Sequence, residues 1–400
     1  MTRIAPAWLS DPGTRAVMDA LATRGGDDCA RFVGGCVRDA LLGREALDVD
    51  VATRLHPAQV VEALSAAGLK AVPTGIDHGT VTAVSRGRPV EITTLRRDVA
   101  TDGRRAVVAF TDDWAEDAAR RDFHLNALYA EASGKVFDPT GRGIDDVLAG
   151  RVVFVGDPDR RIAEDHLRIL RFFRFFAWFG RGEPHAAGLA ACAASAEGVD
   201  RLSAERLSAE MIKLLSAPDP AAALRAMAGA GVLERVLGRP GDVDRLALVA
   251  PRSDDPLVRL SALWPDDPDF VAAAARRLRL PRAAWARLEA AAVLLALEGE
   301  VDRAARRLIY EVGAETARDQ ALKSPDRAAS EAVLAMAARW TPPRLPVGGR
   351  DVARLGIPTG PQTGAVLKAF ESEWVADDFP TEGVAERLSA AVSRVRGSEP

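Results

Sequence analysis

Asp48 and Asp50 flank Val49 near the end of FVGGCVRDALLGREALDVDV, residues 32–51. Read as a strand over Leu47–Ala52, the period of two puts both carboxylates on one face, ~6–7 Å apart along the chain. From that separation two side chains can converge on one or two Mg²⁺ ions. Such hard cations are usually held by one or two carboxylates plus substrate phosphates. Upstream, Gly34-Gly35 closes the apolar run ARFV and opens a short helix, VRDALLG. Glycine there lets a phosphate approach the backbone, and a helix N-terminus offers free N–H groups to an anion. The unit joins a triphosphate seat to a metal seat. Either half alone is a common pattern, and a solvated strand edge accounts for most isolated D-x-D pairs.

The elements that must position these residues follow from periodicity. Four hundred residues, 48% hydrophobic, suffice for two to four domains. Over the first ~155 residues strand and helix signals alternate. Strands are expected at Arg31–Val33, Leu47–Ala52, Gly79–Ser85 and Pro89–Leu95, the last two joined as a hairpin across Arg86-Gly87-Arg88. A helix fits Pro57–Ala67, with Pro in its first turn and Gly68 closing it. Asp98 to Asp113 shows no clean period and reads as a loop, and AEDAARRDFHLNALYAE reads as the next helix. From Asp157 onward the text is helical, with Arg160–Phe179 a long amphipathic helix whose Phe-Trp side (Phe172, Phe173, Phe175, Phe176, Phe179) reads as core rather than a base-stacking platform. SAPDP at 216–220 and GRPGD at 238–242 mark helix ends, and WTPPRLPVGG at 340–349 a linker.

Three cysteines without C-x-x-C spacing and five scattered histidines argue against a disulfide frame, a zinc site or a histidine-built hydrolase. No apolar run reaches signal-peptide or membrane-span length, so a soluble, cytoplasmic protein is expected. The net charge of −4 does not advertise a polyanion binder, although placement matters more than the sum.

GGCVRD with DVD resembles the first motif of the nucleotidyltransferase superfamily. Arg120-Arg121-Asp122-Phe123, continuing as HLNALY, is similar to the second motif of class II tRNA nucleotidyltransferases and bacterial poly(A) polymerases. Glu164-Asp165-His166-Leu167-Arg168, extended by Arg171 and Arg174, resembles their nucleotide-selection helix, and RLSAERLSAEMIKLL (201–215) the neck motif that follows. LPVGGRDVARLGIPTGPQTGAVLKAF (345–370) is similar to the family's tail segment. The resemblance implies an α+β protein. A nucleotidyltransferase head with a small mixed sheet (1–155) precedes an all-α neck (156–240), body (241–340) and tail (341–400).

It also implies the chemistry: template-independent addition of CMP and AMP from CTP and ATP to the 3′ end of tRNA, with Mg²⁺ and release of pyrophosphate. Asp48 and Asp50 are then the metal ligands. Glu91, in VEITTLRR, matches the family's third acidic residue and would support the metal or accept the 3′-OH proton. Arg38 is expected to reach the triphosphate beside the Gly35 amide, or else simply to pair with Asp39 or a strand carboxylate. Arg121 matches the family's nucleotide contact in the second motif. Asp122 and Asn126, i and i+4, are candidates for ribose recognition. The 98–113 segment corresponds to the family's mobile loop.

The selection helix also admits a reading from chemistry. Asp165 and Arg168, i and i+3, can meet one base edge together. Cytosine shows an amino donor beside a ring acceptor, and so does adenine. A carboxylate and a guanidinium fit both, and meet uracil and guanine with the wrong polarity. The bland alternative is an ordinary surface ion pair. Arg171 and Arg174 follow at steps of three, drifting about 60° each, so they cannot all touch one base; they are better placed as a graded positive wall for the triphosphate or to select the base through side-chain orientation.

Poly(A) addition and CC-only or A-only addition share these motifs. GIDHGTVTAV (75–84) and the tail lean towards full CCA addition. An inactive RNA-binding scaffold would be marked by loss of an aspartate or of the E-D-x-x-R text, and both are intact. A nucleotidyltransferase for small molecules would not need the helical body.

Overall fold

The computed structural model describes residues 2–46, 48–102 and 105–397, with the side chains of 77, 98–102, 105–108 and 397 also set aside. Leu47, with which the expected strand began, and Gly103-Arg104 of the expected loop lie outside the described residues. The chain divides into two compact units, Met1–Val243 and Asp244–Pro400.

The first unit is built on a mixed seven-stranded sheet, β1 (Ala30–Val33), β2 (Asp50–Thr53), β3 (Lys70–Gly75), β4 (Thr80–Ser85), β5 (Arg88–Thr94), β8 (Tyr129–Ala130) and β9 (Val136–Phe137), ordered β3-β4-β5-β2-β1-β8-β9. Strands β2 and β5 pair in parallel and the rest antiparallel. A separate hairpin joins β6 (Arg96–Asp102) to β7 (Arg105–Phe110). The β4–β5 turn comes as expected: Ser85 pairs with Arg88, and Arg86 and Gly87 both take positive φ, the two-residue turn that matches strand twist.

Alternation along β4 and β5 buries Val81, Ala83, Val90 and Ile92 on one side, where the Pro12–Gly25 and Pro57–Ala66 helices pack. Both helices start with proline, and Asp11 caps the first by accepting from Gly13 and Thr14 N–H. A second cluster, Val33, Ala52, Leu95, Trp114, Ala118, Ala127 and Tyr129, fastens the second motif to β1 and β2.

Four expectations need correction. Strand β2 begins at Asp50, so Asp48 lies in the bend ahead of it, and the period-two argument for a shared face does not apply to Asp48. The 98–113 segment is mostly a hairpin, because a register shift between Asp98 and Ala100 hides its alternation from a period-two search. The expected helix 115–131 stops at Ala119. Phe123 is extended and bridges to Phe154, His124 N–H donates to Val153, and Tyr129–Ala130 joins the sheet, so sheet pairing overrides the helical period.

The long helix 160–179 is two helices, Pro158–Glu164 and Leu167–Phe179. Asp165 between them is extended (φ −156°, ψ 109°), and its carboxylate accepts from Leu167 N–H at 3.1 Å, a local bond that restarts the helix. Phe172, Phe173, Phe175 and Phe176 are buried, with Phe172 stacked on Phe154 at 5.6 Å.

The second unit is entirely helical among its described residues. One core gathers Ala305, Ile309, Ala317, Val333 and Met336, and another gathers Val352, Val366, Phe370, Trp374 and Leu388. The buried Lys323 is satisfied within the fold, donating to Asp266 at 2.9 Å and to the Ala291 carbonyl at 2.7 Å.

Candidate active site

Gly34 takes φ 73°, ψ −122°, a conformation open only to glycine, and Gly35 begins the Gly35–Leu41 helix. The turn brings that helix start against the second motif, with a Cβ on Gly34 lying 3.6 Å from the Asn126 carbonyl. Gly34→Ala is expected to cost about 1–3 kcal/mol of backbone strain and to weaken nucleotide binding with it, read by thermal melting and CTP titration.

A cavity of about 660 Å³ opens beside this turn. It collects Gly35, Arg38, Asp50, Arg121, Asp122, Asn126, Asp165, Arg168, Arg171 and Arg174 from segments up to 139 residues apart. Sequence reasoning missed Arg96 and Arg120, which also line it, and Phe175, which it assigned to the core alone. Asp48 and Glu91 are not among the lining residues, but they stand close by. Glu91 is the register partner of Asp50 across the parallel β2–β5 pair. Burial, then Glu91 and Asp48, push the Asp50 carboxyl up to about 6. A larger cavity, about 810 Å³ between residues 5–12 and 40–46, contains none of the predicted residues.

The arginines of the Leu167–Phe179 helix each have a carboxylate from a different element. Arg168 pairs with Glu164 at 2.7 Å, Arg171 donates from Nε to Asp122 at 2.7 Å, and Arg174 pairs with Glu210 at 2.6 Å. Arg174 and Arg171 also face the Phe175 ring, at 4.1 and 5.2 Å. Asp165 is gripped by both bonds of Arg206 Nη2, 3.0 and 2.8 Å. Asp165 and Arg168 are therefore not ion-paired to each other; Asp165 lies in the break between the two helices and Arg168 in the first turn of the second. The Arg168 N–H still donates to the Asp165 carbonyl, so the i, i+3 proximity survives.

Arg38 does pair with Asp39, at 2.9 Å, yet it also donates to Asn126 Oδ1 at 2.8 Å and lies over Phe179 at 4.0 Å. Asn126 Nδ2 donates to Asp122 Oδ1 at 3.0 Å, so the expected i, i+4 contact forms without a helix. Burial alone would raise the Asp122 carboxyl, but Arg171, Asn126 and the Phe123 N–H together hold it below the usual range.

Beneath the cavity lies a group with no motif to announce it. Asp117, 1% exposed, accepts from Arg120, Arg121, the Tyr129 hydroxyl at 2.7 Å and the backbone N–H of Arg96 at the root of the β6–β7 hairpin. Burial opposes its ionisation, but the two arginines and Tyr129 outweigh it and hold the carboxyl far below the ordinary value. A depressed carboxyl contributes stability above its unfolded value near 3.8, lost as pH falls through the folded value. Asp117→Asn is expected to destabilise the first unit by ~3–5 kcal/mol at pH 7, with the difference from wild type closing only below about pH 4, as followed by urea titration.

The donor set around Asp50 is all oxygen, and its crowding of Asp48, Asp50 and Glu91 is the charge excess a hard divalent cation relieves. Among the described residues no three acidic, histidine or cysteine side chains already form a metal cage. Among the same residues no helix is long and apolar enough to cross a membrane.

Comparison with known proteins agrees with this geometry. Residues 30–153 match the family model described as the poly A polymerase head domain, and 185–241 the one described as a probable RNA and SrmB-binding site of polymerase A. The mitochondrial CCA tRNA nucleotidyltransferase 1 of Danio rerio is 33% identical over 361 residues, covering 86% of this chain and 83% of the relative. The CCA-adding enzyme of Levilactobacillus brevis is 31% identical over 383 residues, covering 91% and 93%. The crystal structure of the Bacillus stearothermophilus CCA-adding enzyme in complex with CTP superposes with a TM-score of 0.76 at 26% identity, over 97% of this chain and 99% of that one. With a third of its residues identical to a relative matched over more than four-fifths of both chains, the chain belongs to the CCA-adding enzyme, or CCA tRNA nucleotidyltransferase, family.

Proposed function

We propose that the protein adds CMP and AMP, without a template, to the 3′ end of tRNA from CTP and ATP, releasing pyrophosphate. The observation that carries this reading is the single cavity where the Gly34-Gly35 turn and Asp50 face Asp165, Arg168, Arg171 and Arg174. A triphosphate is expected against the Gly35 amide, Arg38 and Arg121, with the ribose against Asp122 and Asn126. Asp48 and Asp50 would hold Mg²⁺, which when bound lowers the pKa of the attacking 3′-OH and neutralises the leaving oxygen. Glu91, beside Asp50, supports that pair or accepts the 3′-OH proton.

Asp165 and Arg168 select the base. To do so they exchange present partners, Arg206 and Glu164, for the amino group and ring nitrogen of cytosine or adenine. Uracil or guanine leaves the exchanged groups facing like polarity, a penalty of several kcal/mol. Residues 1–155 act as the catalytic head, 156–240 as the neck, and the body (241–340) and tail (341–400) hold tRNA. We place the reaction in the cytoplasm, a reading supported by three buried, unpaired cysteines.

The test is incubation with tRNA lacking its 3′ end, or ending in C or CC, and each nucleoside triphosphate separately. Two C residues and then a single A support the reading. Long A tails would replace it with poly(A) polymerase, and C addition that never proceeds to A with a CC-adding enzyme.

A further inference from the structure

Residues 275–288 of the second unit, ARRLRLPRAAWARL, hold five arginines and no acid, in a chain whose net charge is −4. They form the turn of a helical hairpin, Pro268–Arg277 packed on Arg282–Ala290. Arg287 is committed within the fold, to Asp319 and Asp255, each at 2.7 Å. The four arginines nearer the turn, Arg276, Arg277, Arg279 and Arg282, are all exposed.

Fold stability explains only part of this placement. Arg276 and Arg277 end the first helix, where a cation suits the helix dipole. Arg282 stands at the start of the second, where the dipole disfavours it. That start has no side-chain cap and no acid in its first turn. Arg276 lies over the Trp285 ring at 5.0 Å, which orders the guanidinium without neutralising it. Among the described residues neither Arg276 nor Arg282 has a carboxylate partner. Arg276, ordered but not neutralised, and Arg282, kept against an adverse dipole, leave two cations at one tip for an external anion.

We propose that the 276–282 turn is a seat for the phosphate backbone of RNA, and that Arg276 and Arg282 each neutralise a phosphate of the acceptor tRNA. This rests on the tRNA reading above and adds where the second unit grips the substrate. Two phosphate contacts steepen the salt dependence of binding by about two and carry no sequence information.

The test compares wild type with Arg276→Gln/Arg282→Gln and Arg276→Lys/Arg282→Lys, by fluorescence anisotropy of a tRNA transcript lacking its CCA end between 50 and 200 mM salt. The Gln variant is expected to bind about tenfold more weakly, with a salt slope shallower by about two, an unchanged melting temperature and an unchanged KM for CTP. The Lys variant, which keeps the charges, is expected to bind like wild type. Equal affinity and slope for wild type and the Gln variant would overturn the proposal while leaving the activity reading intact. Arginine-dependent binding to anionic phospholipid vesicles with tRNA binding untouched would also overturn it. Wild type that neither binds nor extends tRNA would overturn both readings.

Discussion

Asp50→Asn is expected to reduce incorporation of CMP and AMP at least ~10³-fold while leaving tRNA affinity within about twofold. The argument joins position and charge. Asp50 heads β2, lines the cavity and has Glu91 directly across the parallel pair. Asparagine keeps its size but removes the charge that a divalent cation needs. The same substitution is expected to stabilise the metal-free protein. Burial and two acid neighbours raise the Asp50 carboxyl from 3.8 to about 6, so the folded state holds its proton more tightly than the unfolded one. Wild-type stability therefore falls as pH rises from about 4 to 6, and at pH 7 the charged form strains the site. Asn evades that cost, and a melt in chelator at pH 7 should show Asp50→Asn the more stable, with the gap closing towards pH 4. Retained activity would refute the metal assignment; a less stable variant would refute the crowding of acids.

Asp165→Ala carries the second large effect. Its kcat/KM for CTP and ATP is expected to fall ~10²–10³-fold, with discrimination against UTP collapsing by a similar factor, because the acceptor for the amino group is lost. Arg206 loses its partner in the same variant, so Arg206→Gln serves as control. It frees Asp165 without removing it, and should leave base choice intact. Four-nucleotide kinetics on tRNA lacking its last three residues decide the matter. Undiminished discrimination in Asp165→Ala would remove Asp165 from base selection.

Much of this arrangement is legible in the residue pattern, and the exceptions share a cause. Strands β4 and β5 and the Pro57–Ala66 helix follow from alternation, proline and glycine, signals that lie within a few residues of where they act. Asp165 was misplaced on a continuous helix because its one local hydrogen bond, to Leu167 N–H, leaves no mark on a 3.6-residue period. The 115–131 error has the opposite origin. Partners at Val153, Phe154 and β1 decide that backbone, and a window of neighbours cannot see them.

The carboxylate partners of Arg171 and Arg174 were invisible for the same reason. Glu210 and Asp122 lie 36 and 49 residues from the arginines they hold. Asp117 lies inside the text AEDAARRD, but nothing in that text says that it meets the Arg96 backbone 21 residues away.

The paired arginines bear on turnover as well as on recognition. A wall of uncommitted guanidinium groups would keep whatever polyphosphate reached it, and the departing pyrophosphate would poison the next cycle. Here Arg168, Arg171 and Arg174 each have a resident acid ready to reclaim them. On the nucleotide seating proposed above, an arriving nucleotide would trade one set of ion pairs for another, and the reverse trade would accompany departure. On that seating the wall would behave as a ratchet pawl under a light spring, firm enough to orient a nucleotide and weak enough to let the product go.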